Sequence, residues 1–280
     1  MFPVESLSAF RVFADHLNFT RAAEELHISQ PALHVKVRKL AEAVGRPLYL
    51  RTGNHLVLTA DGERLARFAR DRERQLTEFL GELTGTHAAE PLVLAAGQGA
   101  YLYLLGDVIA AERQDLRLVT ASRPETLARV RDGRAHVGVA VLDAVPTDLE
   151  CVLLAAYPQT LVVRADHRLA RRRRLRVRDL DGLELIVPPA PRPLRVLLER
   201  WLHGVDWRVA VEAEGWPLLL HFVGLGVGAA VVNGCVRTKH VQLPIVDLPD
   251  VPYYAIHRRP DDPRVARLVG AMVAAVPQTT

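Results

Sequence analysis

Apolar residues in the first sixty positions recur at helical spacing. Leu7, Phe10, Phe13, Ala14 and Leu17 predict an amphipathic helix. A second, short helix is predicted from Thr20, as its N-cap, through Ala22, Ala23 and Leu26. The chain breaks at His27-Ile28-Ser29. Ser29 then caps a third helix, with Pro31 in the first turn, where its missing N–H is tolerated, and the helix runs to about Val44. Leu33, Val37, Leu40 and Val44 form the inward face of that helix, and Pro31, His34, Val35 and Arg38 the outward one. Gly45-Arg46-Pro47 ends it. Leu48-Tyr49-Leu50 and Leu56-Val57-Leu58 then bracket Arg51-Thr52-Gly53-Asn54-His55, a polar turn between two short strands. Helix, turn, helix and hairpin in this order predict a winged helix-turn-helix.

A proline-free segment rich in Arg, Glu, Ala and Leu predicts a long helix from Thr59 to about Leu83. Its apolar positions Leu65, Phe68, Leu76, Phe79 and Leu83 form one stripe, interrupted by Arg72, and a stripe of that length needs a covering partner. Either the helix packs on its own domain or it pairs with a second copy. Its place between two domains favours the pairing. Gly81 to Pro91 reads as a weakly structured linker. Beyond Pro91 the pattern alternates strand and helix: Leu92–Ala96, a helix Tyr101–Glu112, Leu116–Val119, a helix Pro124–Arg131, and His136–Leu142. This predicts an α/β region with a mostly parallel sheet. The apolar stretch Leu149–Val163 would cross to a second lobe. Leu185–Val187, a helix Leu194–Leu202, Trp207–Val211, a helix Pro217–Val223 and Ala229–Val232 would build that lobe, and Val251–His257 would return to the first. Two crossings leave a cleft between lobes, a common place for a small ligand.

Composition agrees with this division: 280 residues suit two domains, and 49% apolar with 24% charged residues is ordinary for a soluble globular chain. The net charge of +4 is uninformative by itself. Between Lys36 and Arg51, however, lie Lys36, Arg38, Lys39, Arg46 and Arg51 against Glu42 alone, so positive charge is focused on the third helix and the wing. Lysines and arginines there would meet phosphates while the exposed helix face reaches base edges. The candidate DNA-binding residues are Thr20, Ser29, Gln30, Pro31, His34, Val35, Lys36 and Arg38 on the helices, with Arg51 and Asn54 on the wing.

Other chemistries find little support. Cys151 and Cys235 are isolated, the histidines lack an HExxH or i, i+4 pair, and no Gly-x-Ser-x-Gly elbow or acid pair is present. No catalytic residue, metal or cofactor is expected. The longest apolar stretch, Leu218–Val232, is interrupted by His221 and short for a membrane span, and the first residues do not form a signal peptide, so a cytoplasmic protein without a membrane partner is expected.

Three segments carry a resemblance. Ala22-Ala23-Glu24-Glu25-Leu26-His27-Ile28-Ser29-Gln30-Pro31-Ala32-Leu33, Gly45-Arg46-Pro47-Leu48-Tyr49-Leu50-Arg51 and Leu58-Thr59-Ala60-Asp61-Gly62 resemble, in order and spacing, the amino-terminal signature of LysR-type transcriptional regulators. His167-Arg168-Leu169-Ala170 and Leu225-Gly226-Val227-Gly228-Ala229 resemble features of that family's periplasmic-binding-protein-like effector domain. The resemblance implies a winged helix-turn-helix over 1–58, a dimerisation helix and hinge over 59–90, and an effector domain of two α/β lobes over 91–280. It further implies double-stranded DNA and a small-molecule effector as partners, and a homodimer or homotetramer. The sequence departs from the family pattern at His34, usually a serine, and at Val35, often arginine or another polar residue, so no operator preference carries over.

The effector site is expected at the strand-to-helix turns. Gly97-x-Gly99 lacks the third glycine of a dinucleotide fingerprint, yet a helix amino terminus after a strand suits an anion. In the resembled family this turn lines the effector cleft. Gly97, Gln98, Gly99 and Tyr101, with Thr120, Ser122 and Arg123 on the next turn, and Pro189 and Trp216 opposite, are the candidate effector residues. Pro188-Pro189-Ala190-Pro191 stands where a hydroxyl-bearing loop is typical, which favours recognition by shape or a pocket that binds nothing. Gly224-x-Gly226-x-x-Ala229 reads as a tight turn and Arg171–Arg174 as solvated surface. The alternatives to a regulator are a ligand-binding module or an α/β enzyme, each with a structural helical appendage.

Overall fold

The computed structural model describes residues 3–84, 91–112, 116–258 and 262–276. The chain separates into two compact units, Met1–Pro91 with Ala128–Ala135, and Leu92–Leu127 with His136–Thr280.

The first unit opens with α1 (Val4–His16), α2 (Phe19–Glu25) and α3 (Gln30–Val44). Leu7, Phe10 and Phe13 of α1, Ala22 and Ala23 of α2, and Leu33, Val37 and Leu40 of α3 close one core. Each large side chain buried this way contributes about 1.5–3 kcal/mol. Val44, expected on that inward face, is exposed, because the helix end carries it past the core. The N-cap of α2 is Asn18, not Thr20: its carboxamide oxygen accepts the Thr20 and Arg21 N–H groups at 2.9 and 3.2 Å, which puts Thr20 inside the first turn. Leu17 likewise lies outside α1, as its left-handed C-cap. Ser29 caps α3 as expected, accepting from Ala32 N–H, and Gly45 ends it with a φ of 71°. The wing is β1 (Tyr49–Thr52) paired antiparallel with β2 (His55–Leu58), so the turn is tighter than the sequence suggested and consists of Gly53-Asn54. Then α4 (Ala60–Thr84) begins on a cap in which the Thr59 hydroxyl donates to Pro47 O at 2.7 Å and accepts from Gly62 N–H at 3.0 Å. Most of the expected Gly81–Pro91 linker lies outside the described residues, but Gly81 to Thr84 still belong to α4.

The chain continues with β3 (Leu92–Ala96), α5 (Gln98–Tyr103), α6 (Gly106–Ala111), β4 (Leu116–Thr120), α7 (Arg123–Arg131), β5 (Val137–Val141), β6 (Glu150–Tyr157) and β7 (Gln159–Val163), all in the second unit except the last four residues of α7. It continues with β8 (Leu183–Val187), α8 (Pro193–Trp201), β9 (Trp207–Glu212), α9 (Trp216–Gly224), β10 (Ala230–Asn233), β11 (Val241–Pro244), β12 (Val251–His257) and α10 (Pro263–Ala275). The single helix expected over 101–112 is two short ones, broken at Leu104-Leu105, where both leucines turn into the core. The first lobe is a sheet of order β4-β3-β5-β12-β6. Only β3 with β4 and β3 with β5 pair in parallel, while β12 is antiparallel to both its neighbours, so the sheet is mixed rather than mostly parallel. The second lobe pairs β8 with β9 in parallel and β7 with β10 and β11 antiparallel, the two sheets touching at the Leu185–Ala229 bridge. The apolar run over 149–163 is a crossing: β6 lies in the first lobe, β7 in the second, with Pro158 between, and β12 returns as anticipated. The sequence pattern missed β11, whose four residues are too few to show a period, and α10.

Candidate DNA-binding surface and effector cleft

On the first unit Thr20, Ser29, Gln30, Pro31, His34, Val35, Arg38, Arg51 and Asn54 are exposed, and Lys36 is half-buried. The outward face of α3 is therefore open. Several of its groups are already positioned. The His34 ring stacks on Phe19 with centroids 3.6 Å apart, which orients the imidazole without burying it. Thr20 Oγ1 donates to Gln30 Oε1 at 3.3 Å, tying α2 to the first turn of α3. The Ser29 hydroxyl serves the cap. Lys36 Nζ reaches Glu5 on α1 at 3.3 Å, so this lysine leans back towards the first helix, unlike Arg38 at the opposite edge. In the wing, Arg51 Nε donates to Gly53 O at 3.2 Å, leaving its terminal nitrogens at the hairpin tip beside Asn54.

The helix-to-wing joint rests on a glycine. A Cβ at position 62 would lie 1.9 Å from the Leu48 carbonyl oxygen, so only Gly62 lets the first turn of α4 press on the start of the wing. Ala66 and Ala69, one and two turns later, are buried against the same core, and Arg70 forks Nε and Nη2 onto Asp15 at 3.0 and 2.6 Å. Half-buried Leu65 packs there too. The rest of the stripe does not: Phe68, Leu76 and Phe79 are 56, 53 and 55% exposed, and Leu80 is exposed beside them. Nothing is described of the side chain of Leu83.

On the second unit a cleft of about 1610 Å³ opens between the two lobes. Gly97, Gln98, Gly99, Thr120, Ser122, Arg123 and Trp216 line it. Two expected residues do not. The Tyr101 hydroxyl turns under the sheet, 2.7 Å from Leu94 O and 2.8 Å from Val119 O, and burial pushes its pKa up. In the proline-rich loop the lining falls to Pro188 and Pro193, flanking Pro189. The glycine turn is not an open anion cradle. A Cβ at Gly99 would meet the Trp216 ring at 2.6 Å, so the missing side chain makes room for an indole lying over the start of α5, a helix of only six residues. Arg123 Nη1 is paired with Asp143 at 2.6 Å, and Arg192 with Glu214. Ser122 Oγ and N both bond Glu125 Oε2 at 2.9 Å.

The cleft is also lined by residues that no local sequence signal marks: Gln159, Asn233, Tyr253 and Thr126. Asn233 Nδ2 donates to the Tyr253 hydroxyl at 2.7 Å, and burial pushes the Tyr253 pKa far up. These residues come from β7, β10, β12 and α7, which converge only in the folded chain. The Gly224–Ala229 segment is the tight turn expected, with Gly226 at a φ of 78°, and Arg171–Arg174 are exposed. Among the described residues no cluster of His, Cys, Asp and Glu could hold a metal, and no helix is long and apolar enough to cross a membrane.

A chain with a winged helix-turn-helix followed by a two-lobed ligand-binding fold belongs to the class of ligand-responsive DNA-binding proteins, and comparison makes this specific. Residues 4–63 match the bacterial regulatory helix-turn-helix proteins of the lysR family, and residues 86–277 match the LysR substrate binding domain. The chain belongs to the LysR family and is a DNA-binding transcriptional regulator with an effector-binding domain. It is 27% identical to a probable RuBisCO transcriptional regulator of Cyanidioschyzon merolae over 276 residues, 92% of this chain and 90% of that one. Its fold is similar to that of a full-length OxyR variant from Pseudomonas aeruginosa, with a TM-score of 0.73, 21% identity and 99% of both chains covered. It is also similar to full-length CbnR complexed with its target DNA, with a TM-score of 0.53, 23% identity, and 98% of this chain and 99% of that one covered.

Proposed function

We propose that this regulator reads its operator with the outward face of α3, through Gln30, Pro31, His34, Val35 and Arg38, while Thr20, Ser29, Lys36 and the wing residues Arg51 and Asn54 hold the sugar-phosphate backbone. The observation that carries this reading is the open face of α3 beside a hairpin that carries Arg51, within residues 36–51, where five basic side chains stand against one acidic one. Two copies joined along α4, as a homodimer or a dimer of dimers, present two such faces to successive turns of the major groove. The division into a DNA-binding part over 1–58, a linker helix and hinge over 59–90 and an effector part over 91–280 follows from that arrangement. A small molecule held in the cleft shifts the equilibrium between orientations of these parts, provided its affinity differs between them. The protein acts in the cytoplasm, by binding and without catalysis.

A mobility-shift titration against the DNA flanking the protein's own gene tests this. Retardation that weakens steeply with added salt, as phosphate contacts require, is the expected result. Absence of retardation at low salt overturns the reading.

A further inference from the structure

We propose that the cleft is built for an uncharged ligand: a flat, largely apolar body carrying an N–H or O–H group that donates to Gln159 Oε1. The inference rests on the effector reading of the cleft and adds the chemistry of what it takes.

The floor supplies the first argument. Gln159 is 2% exposed, and its side-chain oxygen has no hydrogen-bond partner among the described residues. Buried acceptors are nearly always paired, because water is lost without replacement. Gln159 itself lines the cleft, so a small turn of its side chain brings this acceptor to a ligand donor, which supplies what the protein withholds. Thr126 Oγ1, fully buried and also unpartnered, lines the same cleft. The neighbouring Asn233 amide commits one of its two N–H groups to the Tyr253 hydroxyl.

Charge supplies the second argument. Four carboxylates, of Glu125, Asp143, Glu214 and Asp250, line the cleft against three guanidiniums, of Arg123, Arg192 and Arg200. Arg123 and Arg192 are each paired with one of those carboxylates, and Arg200 lies exposed at the rim. An incoming carboxylate or phosphate would add negative charge to a lining that already holds one more carboxylate than guanidiniums, and would compete with two ion pairs already formed. The backbone N–H groups at the start of α5 offer no substitute, because the Trp216 ring lies over Gly99. Half-buried Trp216 and Val141 present apolar surface for a flat ligand.

The position of Gln159 adds a consequence. It is the first residue of β7, immediately after Pro158 at the crossing between lobes, so a ligand bound to it touches the segment about which the lobes would move.

The test uses matched fragments on the full chain: benzamide and 2-naphthamide against benzoate and 2-naphthoate, scored by saturation-transfer NMR and titrated at constant ionic strength. The expected result is that each carboxamide binds at least tenfold more tightly than its carboxylate and that Gln159→Leu weakens carboxamide binding about tenfold. Carboxylates binding as well as the amides would overturn the proposal while leaving an effector cleft standing. Amide binding unchanged in a folded Gln159→Leu protein would overturn the Gln159 contact. Should that variant not fold, the amide-to-carboxylate ratio of the wild-type protein decides. If no fragment of either kind binds at millimolar concentration, the proposal and the effector reading fall together.

Discussion

His34 joins a packing contact to the proposed recognition face. Its ring is stacked on Phe19 yet remains exposed on the outward face of α3, so the imidazole is held in one orientation before DNA arrives. His34→Ala is expected to cost roughly 1–3 kcal/mol in specific operator binding, with non-specific binding nearly unchanged. Parallel titrations against operator and scrambled DNA measure both, and equal operator affinity of variant and parent would refute the role. Cys235 is the contrasting case. Burial pushes its thiol up to about 11, despite the Tyr253 hydrogen bond acting the other way, so at pH 8 only about one thiol in a thousand is ionised. Cys235 is therefore expected to resist iodoacetamide in the native protein and to react on unfolding. Native labelling of Cys235, followed by mass spectrometry, would contradict this. Neither feature shows in the sequence, because stacking and burial are made by residues distant along the chain.

At the scale of elements, the joint between wing and linker helix turns on Gly62. With the Leu48 carbonyl 1.9 Å from where a Cβ would sit, backbone rather than a flexible side chain must yield. Gly62→Ala is expected to destabilise the first unit by roughly 1–3 kcal/mol, in the range of an overpacked core, and to weaken DNA binding by displacing the wing. Thermal denaturation and operator titration of the variant check the two effects separately. An unchanged melting temperature would show that α4 can shift without cost. The helices of the first unit were legible in the sequence because their apolar faces recur at one period and their caps are local. The α2 cap is not legible in the sequence, because Asn18 and Thr20 are both capable caps and only the folded chain after Leu17 selects Asn18. In the second unit, the break at Leu104-Leu105 was hidden by a continuous apolar run that fits one helix or two.

For the molecule as a whole, α4 is the element on which the proposed pairing of two copies rests. Its 25 residues make a rod of about 37 Å. One side is consumed by the helix-turn-helix core, while Phe68, Leu76 and Phe79 remain uncovered in a single copy. Charges on that stripe, in the double variant Leu76→Glu with Phe79→Glu, are expected to turn the oligomer into monomer and to reduce operator affinity at least tenfold, since one head must bind alone. Sedimentation velocity reads the mass directly. An oligomer of unchanged mass would place the subunit contact elsewhere.

The order of elements, the run of positive charge on α3 and the wing, and the family could all be read from the amino-acid order alone. These depend on period, composition and short-range spacing. It also marked the cleft's turns, since strand-to-helix glycines and their polar neighbours are contiguous. Tertiary structure decided what the cleft can hold. Tyr101 is consumed beneath the sheet, Gly99 makes room for Trp216, two arginines are cancelled by carboxylates at least twenty positions away, and the oxygen of Gln159, a residue of the cleft wall, is left without a partner. The physical reason is that hydrogen-bond satisfaction and charge pairing are properties of three-dimensional neighbours, and the neighbours of this cleft are brought together only by the two chain crossings.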